Sequence, residues 1–296
     1  MPSLSAHQSN RIVKLLLLGD AKSGKTGSLV SLVKAGYKLR ILDLDNLLDF
    51  FKAQVLEQCP DKNDNVEYRT VRDKYKASDA GTMIDGAPKA WTTSLKLLNR
   101  WKYKDEHSGE EIDYGNPADW GPDTILVIDS LSRWCDAAYA FHQVMTPAGK
   151  NGVEGRAVYY NAQKDLEKQL AMLTSESVNT NVIVICHGVY IERDDGKTKI
   201  FPKSMGQAMS PNIPTYFPNY IRYTTDSGKR EIQLTSDRMI DLSTTRPNIL
   251  KDKLSVDTGL AEIFAAILDT PKAKEVTTPQ PQTKPMINKP QIIRKA

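Results

Sequence analysis

The stretch RIVKLLLLGDAKSGKT, residues 11 to 26, most narrowly limits what this chain can fold into. The apolar run from Ile12 to Leu18 has the length of a buried strand, and it ends directly in a turn rich in glycine and lysine. Within that turn Gly19, Gly24, Lys25 and Thr26 satisfy the spacing G-x-x-x-x-G-K-[ST]. Leu29, Leu32 and Val33 then recur at helical spacing, which predicts a helix over Thr26 to Ala35, with Gly36 at its C-terminal cap. Strand, glycine loop and helix form the context in which this motif wraps a triphosphate. Glycines let backbone N–H groups turn inward, and the helix that starts there aims its positive end at the same anion. Gly19, Asp20, Ala21, Lys22, Ser23, Gly24, Lys25, Thr26 and Gly27 are therefore the expected nucleotide-binding loop. Lys25 is expected on the β- and γ-phosphates of ATP, and the Thr26 hydroxyl on Mg2+.

A phosphate loop alone leaves the metal half-coordinated. TILVIDS, residues 124 to 130, supplies the complement: a buried strand that delivers Asp129 at its carboxyl end, where it can hold Mg2+ through a water. Hydrolysis also needs a group that orients or deprotonates water. The strand Lys38 to Leu44 ends in ILDLDN, and alternation puts Asp43 and Asp45 on one face, with Asp45 the preferred candidate. His187 closes the strand NVIVICH, where it could sense the γ-phosphate or serve as a plain cap. Cys186 precedes it but points to the opposite face, so it reads as core and not as half of a Cys–His pair.

The remaining strands and helices fit the same plan. A short strand near Val66 to Val71, a helix near Ala87 to Trp101, a long amphipathic helix over Arg156 to Ser175, a strand over Asn181 to Cys186, and a hairpin turning at Asp226, Ser227 and Gly228 are expected. Alternating strands and helices followed by a late hairpin give an α/β fold around a mainly parallel sheet. Residues 11–268 are expected to form one domain, with 58–123 as an elaboration, 1–10 as a flexible N-terminus and 269–296 as a disordered tail with five prolines. That tail holds six basic against two acidic residues and so carries the whole net charge of +4. An anionic polymer must then meet a local basic patch or the tail. No apolar run approaches the roughly 18 residues that span a bilayer. The first ten residues lack a basic segment followed by an apolar one, and Cys59, Cys135 and Cys186 show no paired spacing. A cytoplasmic protein without membrane contact is the expectation.

In sequence order, GDAKSGKT, LDLDN, TILVIDS and VIVICH resemble the Walker A loop, acidic base, Walker B strand and phosphate-sensing strand end of the RecA-type recombinase core. The stretch 11–268, with YGNPADWGPDTILVIDSLSRW and GKREIQLTSD, is similar to phage-encoded AAA-family ATPases, the Sak-four-type single-strand annealing proteins. The resemblance implies a RecA-like fold, ATP with Mg2+, DNA-stimulated hydrolysis, single-stranded DNA as ligand, and a homo-oligomer or filament in the host cytoplasm. It makes residues 146–155 and 190–213 the DNA-facing loops, with Lys150, Arg156, Arg193, Lys197, Lys199 and Lys203 as candidate phosphate contacts. Tyr190 and Phe201 lie between those cations and could stack on bases. Lys229 and Arg230 at the late hairpin could reach a neighbouring subunit's γ-phosphate, and the tail could dock a single-strand binding protein. Two departures stand out: the family usually carries glutamate where Asp45 falls, and often glutamine where His187 falls. The shorter acid leaves open a second reading, a nucleotide-gated annealing protein with little turnover. A small-molecule P-loop kinase is a third, against which stands the lack of an arginine-rich lid; LSRW offers only Arg133.

Overall fold

A computed structural model describes residues 11–79, 81–105, 108–147, 155–193 and 196–268. The expected N-terminus, the tail and Lys150 lie outside those residues. In chain order the strands are β1 (Lys14–Gly19), β2 (Lys38–Asp43), β3 (Val66–Thr70), β4 (Tyr75–Ser78), β5 (Gly81–Ile84), β6 (Lys102–Lys104), β7 (Glu111–Asp113), β8 (Gly121–Asp129), β9 (Thr180–Cys186), β10 (Gly188–Glu192), β11 (Thr198–Pro202), β12 (Asn219–Asp226), β13 (Lys229–Gln233) and β14 (Lys253–Ser255). The helices are α1 (Lys25–Ser28), α2 (Val30–Lys34), α3 (Asp49–Gln58), α4 (Ala90–Asn99), α5 (Leu131–Met145), α6 (Gly155–Thr174) and α7 (Gly259–Leu268).

Eight strands form one sheet in the order β14-β13-β12-β1-β9-β8-β2-β3. From β12 to β3 every pairing is parallel, and only β13 and β14 run antiparallel to their neighbours. This is the mainly parallel α/β architecture that the alternating pattern predicts, ended by the expected hairpin. Strand alternation divides the core in two. Leu15, Leu17, Ile125, Val127, Ile183 and Ile185 pack under α1, α2, α3 and α7; Leu16, Leu18, Leu126, Ile128, Val182 and Val184 pack under α4, α5 and α6. Both faces of β1 are covered, so Leu15 to Leu18 are all fully buried, each contributing about 1.5–3 kcal/mol of burial. Trp91 and Trp134 tie α4 to α5 with ring centroids 5.3 Å apart, and Trp134 Nε1 donates to Ser94 Oγ at 2.8 Å.

Three helices, α3, α5 and α7, were not marked by the spacing. The stretch 190–213, expected as an open loop, carries much of the β10–β11 hairpin, because Ile200 alternates into the core and Gly196 turns the chain with φ 73. The helix after the phosphate loop is divided at Leu29, where a tighter turn links Leu29 N–H to Thr26 O at 3.2 Å.

One polar side chain interrupts β1. Lys14 is 4% exposed and donates to the carbonyls of Val178 and Thr180 at 2.8 and 2.9 Å. Burial lowers its pKa to about 7. Unfolded, the same amine titrates at about 10.5, so between those values the unfolded chain binds the extra proton and stability rises with pH. The expected outcome is that wild type gains on Lys14→Met by about 1.4 kcal/mol per pH unit from pH 7.5 to 9.5 in urea-unfolding midpoints. Below pH 7 the difference is flat. Groups common to both proteins, such as Cys135, which burial pushes up to about 12, cancel in the comparison.

Candidate nucleotide-binding site

The parallel core brings the carboxyl ends of β1, β9, β8 and β2 to one edge, the place where open α/β sheets bind ligands. Register pairs Asp43 with Asp129, Asp129 with Ile185, and Leu18 with Cys186. The interposition of β9 between β1 and β8 puts His187 beside both the phosphate loop and Asp129.

Gly19 to Gly27 link β1 to α1. Gly24 has φ 99, a left-handed conformation that disfavours any side chain, and Lys22 shares that region with φ 64. A Cβ at Gly19 would come within 2.8 Å of the Tyr223 carbonyl and 2.7 Å of Ser23 Oγ, so that position has no room for one. Lys25 is 5% exposed, and its ammonium donates to the carbonyls of Gly19 at 2.8 Å and Asp20 at 2.7 Å. Burial lowers its pKa, against the opposing charges of Asp129, Asp20 and Asp45. Asp20, Ala21 and Lys22 are exposed at the tip.

Thr26 Oγ1 donates to Asp129 Oδ2 at 2.7 Å, joining two motifs 103 residues apart. Asp129 is 4% exposed; burial raises its carboxyl to about 7, with Asp45 and Asp43 adding to the rise and the Thr26 bond and Lys25 opposing it. A buried acid in that state favours a cation. No group of three His, Cys, Asp or Glu side chains able to hold a metal exists among the described residues. A hydroxyl, one carboxylate and phosphate oxygens suit Mg2+, which typically takes one or two protein carboxylates and keeps the rest of its shell from substrate and water. Thr26 and Asp129 thus fit that ion.

Asp43 and Asp45 part company. β2 ends at Asp43, whose oxygens accept from Thr70 Oγ1 and Asn46 N–H, both at 2.7 Å. Its pKa is raised by burial, against those two bonds. Asp45 lies in the following bend, 11% exposed. Its Oδ1 accepts from Ser130 Oγ at 2.9 Å and sits 3.7 Å from Arg133 Nε, while Oδ2 is 3.4 Å from His187 Nε2. Burial pushes this carboxyl up, but the His187 and Ser130 bonds, with the charges of His187 and Arg133, outweigh it and hold the pKa below the ordinary value. Asp45 is therefore an ionised acceptor at neutral pH.

The base of the β10–β11 hairpin is fastened to the same edge. Lys203 N–H donates to His187 O at 2.7 Å, and Ser132 Oγ donates to Lys203 O at 3.1 Å. Tyr190 Oη donates to Asp20 Oδ2 at 3.4 Å. Of the candidate DNA contacts, Arg193, Lys197 and Lys203 are exposed on or beside the hairpin, Lys199 pairs with Asp241 at 2.5 Å, and Arg156 is exposed in the first turn of α6. Lys229 pairs with Glu231 at 2.6 Å. Arg230 lies against its own chain's Gly24, lining a cleft of about 310 Å³ with Gly27, Val30, Phe50 and Val256. Sequence reasoning missed that cleft and the roles of Ser130, Ser132 and Arg133. Only the place of Ser130, directly after Asp129, gave a signal.

No described helix is long and apolar enough to cross a membrane. No family model matches the chain, and neither does any curated protein. Among solved structures it is similar to the RadB recombinase, with 15% identity and a TM-score of 0.42 over 79% of this chain and 83% of that one. It is also similar to the ATPase EscN of the enteropathogenic E. coli type III secretion system, at 10% identity and a TM-score of 0.40 over 72% of this chain. An ATPase from the type III secretion system of pathogenic bacteria follows at 15% identity and a TM-score of 0.38 over 73% of this chain. The chain spans 42% of EscN and 55% of that second secretion ATPase.

Proposed function

We propose that this chain binds ATP with Mg2+ and hydrolyses it, and that the nucleotide governs how an oligomer of the chain holds single-stranded DNA for annealing or recombination. The observation that carries the nucleotide part is the 2.7 Å bond from Thr26 to Asp129 beside the buried Lys25. Backbone N–H groups of the loop bind the phosphates, and Lys25 exchanges the Gly19 and Asp20 carbonyls for phosphate oxygens. The cleft beside Gly24, walled by Phe50, Val256 and Arg230, takes the base and ribose. Mg2+, when bound, neutralises charge that builds on the phosphates as the bond to the leaving oxygen breaks. Asp45 accepts a hydrogen bond from the attacking water and orients it toward the γ-phosphorus. His187, in contact with that carboxylate, is the link by which the γ-phosphate is felt at the hairpin.

The DNA part is supported by the motif order, by the exposed cations on the β10–β11 hairpin, and by the fastening of that hairpin to His187 and Asp20. Arg156, exposed in the first turn of α6, is a further candidate phosphate contact. Lys229 and Arg230 are proposed to meet a neighbouring subunit's nucleotide, Arg230 also lining its own. Slow phosphate release that rises several-fold with single-stranded DNA is the expected result. If titration with such DNA changes neither the rate nor the light scattering of the ATP-bound protein, the DNA part is wrong.

A further inference from the structure

Ser130 stands immediately before α5, in an extended conformation with φ −126 and ψ 160, where a serine hydroxyl ordinarily accepts a hydrogen bond from the helix's second or third N–H. It makes no such bond. The hydroxyl, fully buried, donates instead to Asp45 Oδ1 at 2.9 Å. The helix thus forgoes a cap that would ordinarily stabilise its first turn. Its first turn breaks a second local rule, holding no acid and a cation, Arg133, where the helix dipole favours the reverse. Arg133 Nε lies 3.7 Å from the same Asp45 oxygen, and its other end is anchored by Asp136 Oδ2 at 3.2 Å, three residues on. Two breaches of helix-start chemistry that converge on one carboxylate oxygen mark a functional demand.

The backbone adds to the grip. The N–H groups of Leu44 and Asp45 both donate to Asp129 O, at 2.5 and 3.2 Å. Asp129, on the metal side, and Asp45, on the water side, are therefore held in one frame at the β8–α5 junction. We propose that Ser130 and Arg133 are positioning residues that fix the Asp45 carboxylate through Oδ1. They compensate for its short side chain and leave Oδ2 for the attacking water and His187. This rests on the reading of Asp45 given under Proposed function.

The test measures steady-state ATP hydrolysis, affinity for a fluorescent ATP analogue and thermal unfolding for wild type, Ser130→Ala, Ser130→Asn, Ser130→Thr, Arg133→Ala and Arg133→Lys. Ser130→Ala and Ser130→Asn are expected to lose about 10- to 100-fold in kcat, with KM and analogue affinity within about twofold of wild type. Ser130→Thr, which keeps the hydroxyl, restores most of the rate. Arg133→Ala loses about tenfold and Arg133→Lys less. A hydroxyl that merely capped α5 would behave otherwise: Asn, a strong cap, would match wild type, and Ala would lower the unfolding temperature with kcat intact. That pattern overturns the proposal. Arg133 is more than half exposed, so its variants decide the matter if a Ser130 variant fails to bind the analogue. Wild type that hydrolyses ATP beside variants of equal kcat overturns this inference alone, whereas wild type that neither binds nor hydrolyses ATP overturns the reading beneath it as well.

Discussion

Lys25→Ala is expected to lower phosphate release at least about 10³-fold and to weaken ATP binding, measured beside wild type at the same Mg2+ and DNA concentrations. The size follows from where the ammonium sits. At 5% exposure it is shielded from water, so its charge acts on a bound triphosphate at far less than the dielectric of solvent. Alanine removes that charge and also the two bonds that draw the Gly19 and Asp20 carbonyls inward. The loop then loses its internal clamp, and about 1–3 kcal/mol of stability goes with it. A loss of that size leaves most of a domain this large folded, so the activity loss is readable as chemistry. Residual release above about a tenth of wild type would contradict the site. A substitution at Asp43 should not mimic the effect, since its oxygens are already taken by Thr70 and Asn46.

What could be read from the chain was what local chemistry dictates. Ile12 to Leu18, Thr124 to Ile128 and Asn181 to Cys186 are apolar runs too short for helices, and each became a strand of the parallel core. That the glycine loop after β1 and the acid ending β8 would meet was legible because motifs of such fixed spacing sit at the carboxyl ends of parallel strands, and Thr26 does bond Asp129. The order of strands was not, since nothing in NVIVICH says that β9 slots between β1 and β8. Yet that placement alone brings His187 onto Asp45. Asp43 and Asp45 looked equivalent two residues apart; they differ because Thr70, on a neighbouring strand, claims one, and Ser130, Arg133 and His187 claim the other. Helix α3 went unread because only Phe51 and Val55 of its ten residues are buried, too few to mark a period. That Arg230 also lies against its own Gly24 was not legible, because it follows from the return of β13 and β14 beside β12.

Asp45→Asn separates an enzyme from a gate. The amide keeps the size and shape of the carboxylate and can still accept from Ser130, so the bend after β2 holds its course. The negative charge proposed to act on the attacking water is gone, and it is the same charge that faces His187 and Arg133. For a turnover enzyme the expected loss is about 10²- to 10³-fold in kcat, with KM for ATP and affinity for single-stranded DNA little changed. Lys25→Ala, by contrast, lowers nucleotide affinity and kcat together. A protein that only uses bound nucleotide to select its DNA-holding form would show negligible release in wild type and the same DNA affinity in both proteins. Under the proposed reading, Asp45, a short acid gripped on one oxygen by Ser130 and Arg133, must act through water that is already well placed. Measured release from wild type that falls in Asp45→Asn while DNA binding persists would decide for catalysis, and equal release from the two proteins would remove Asp45 from the mechanism.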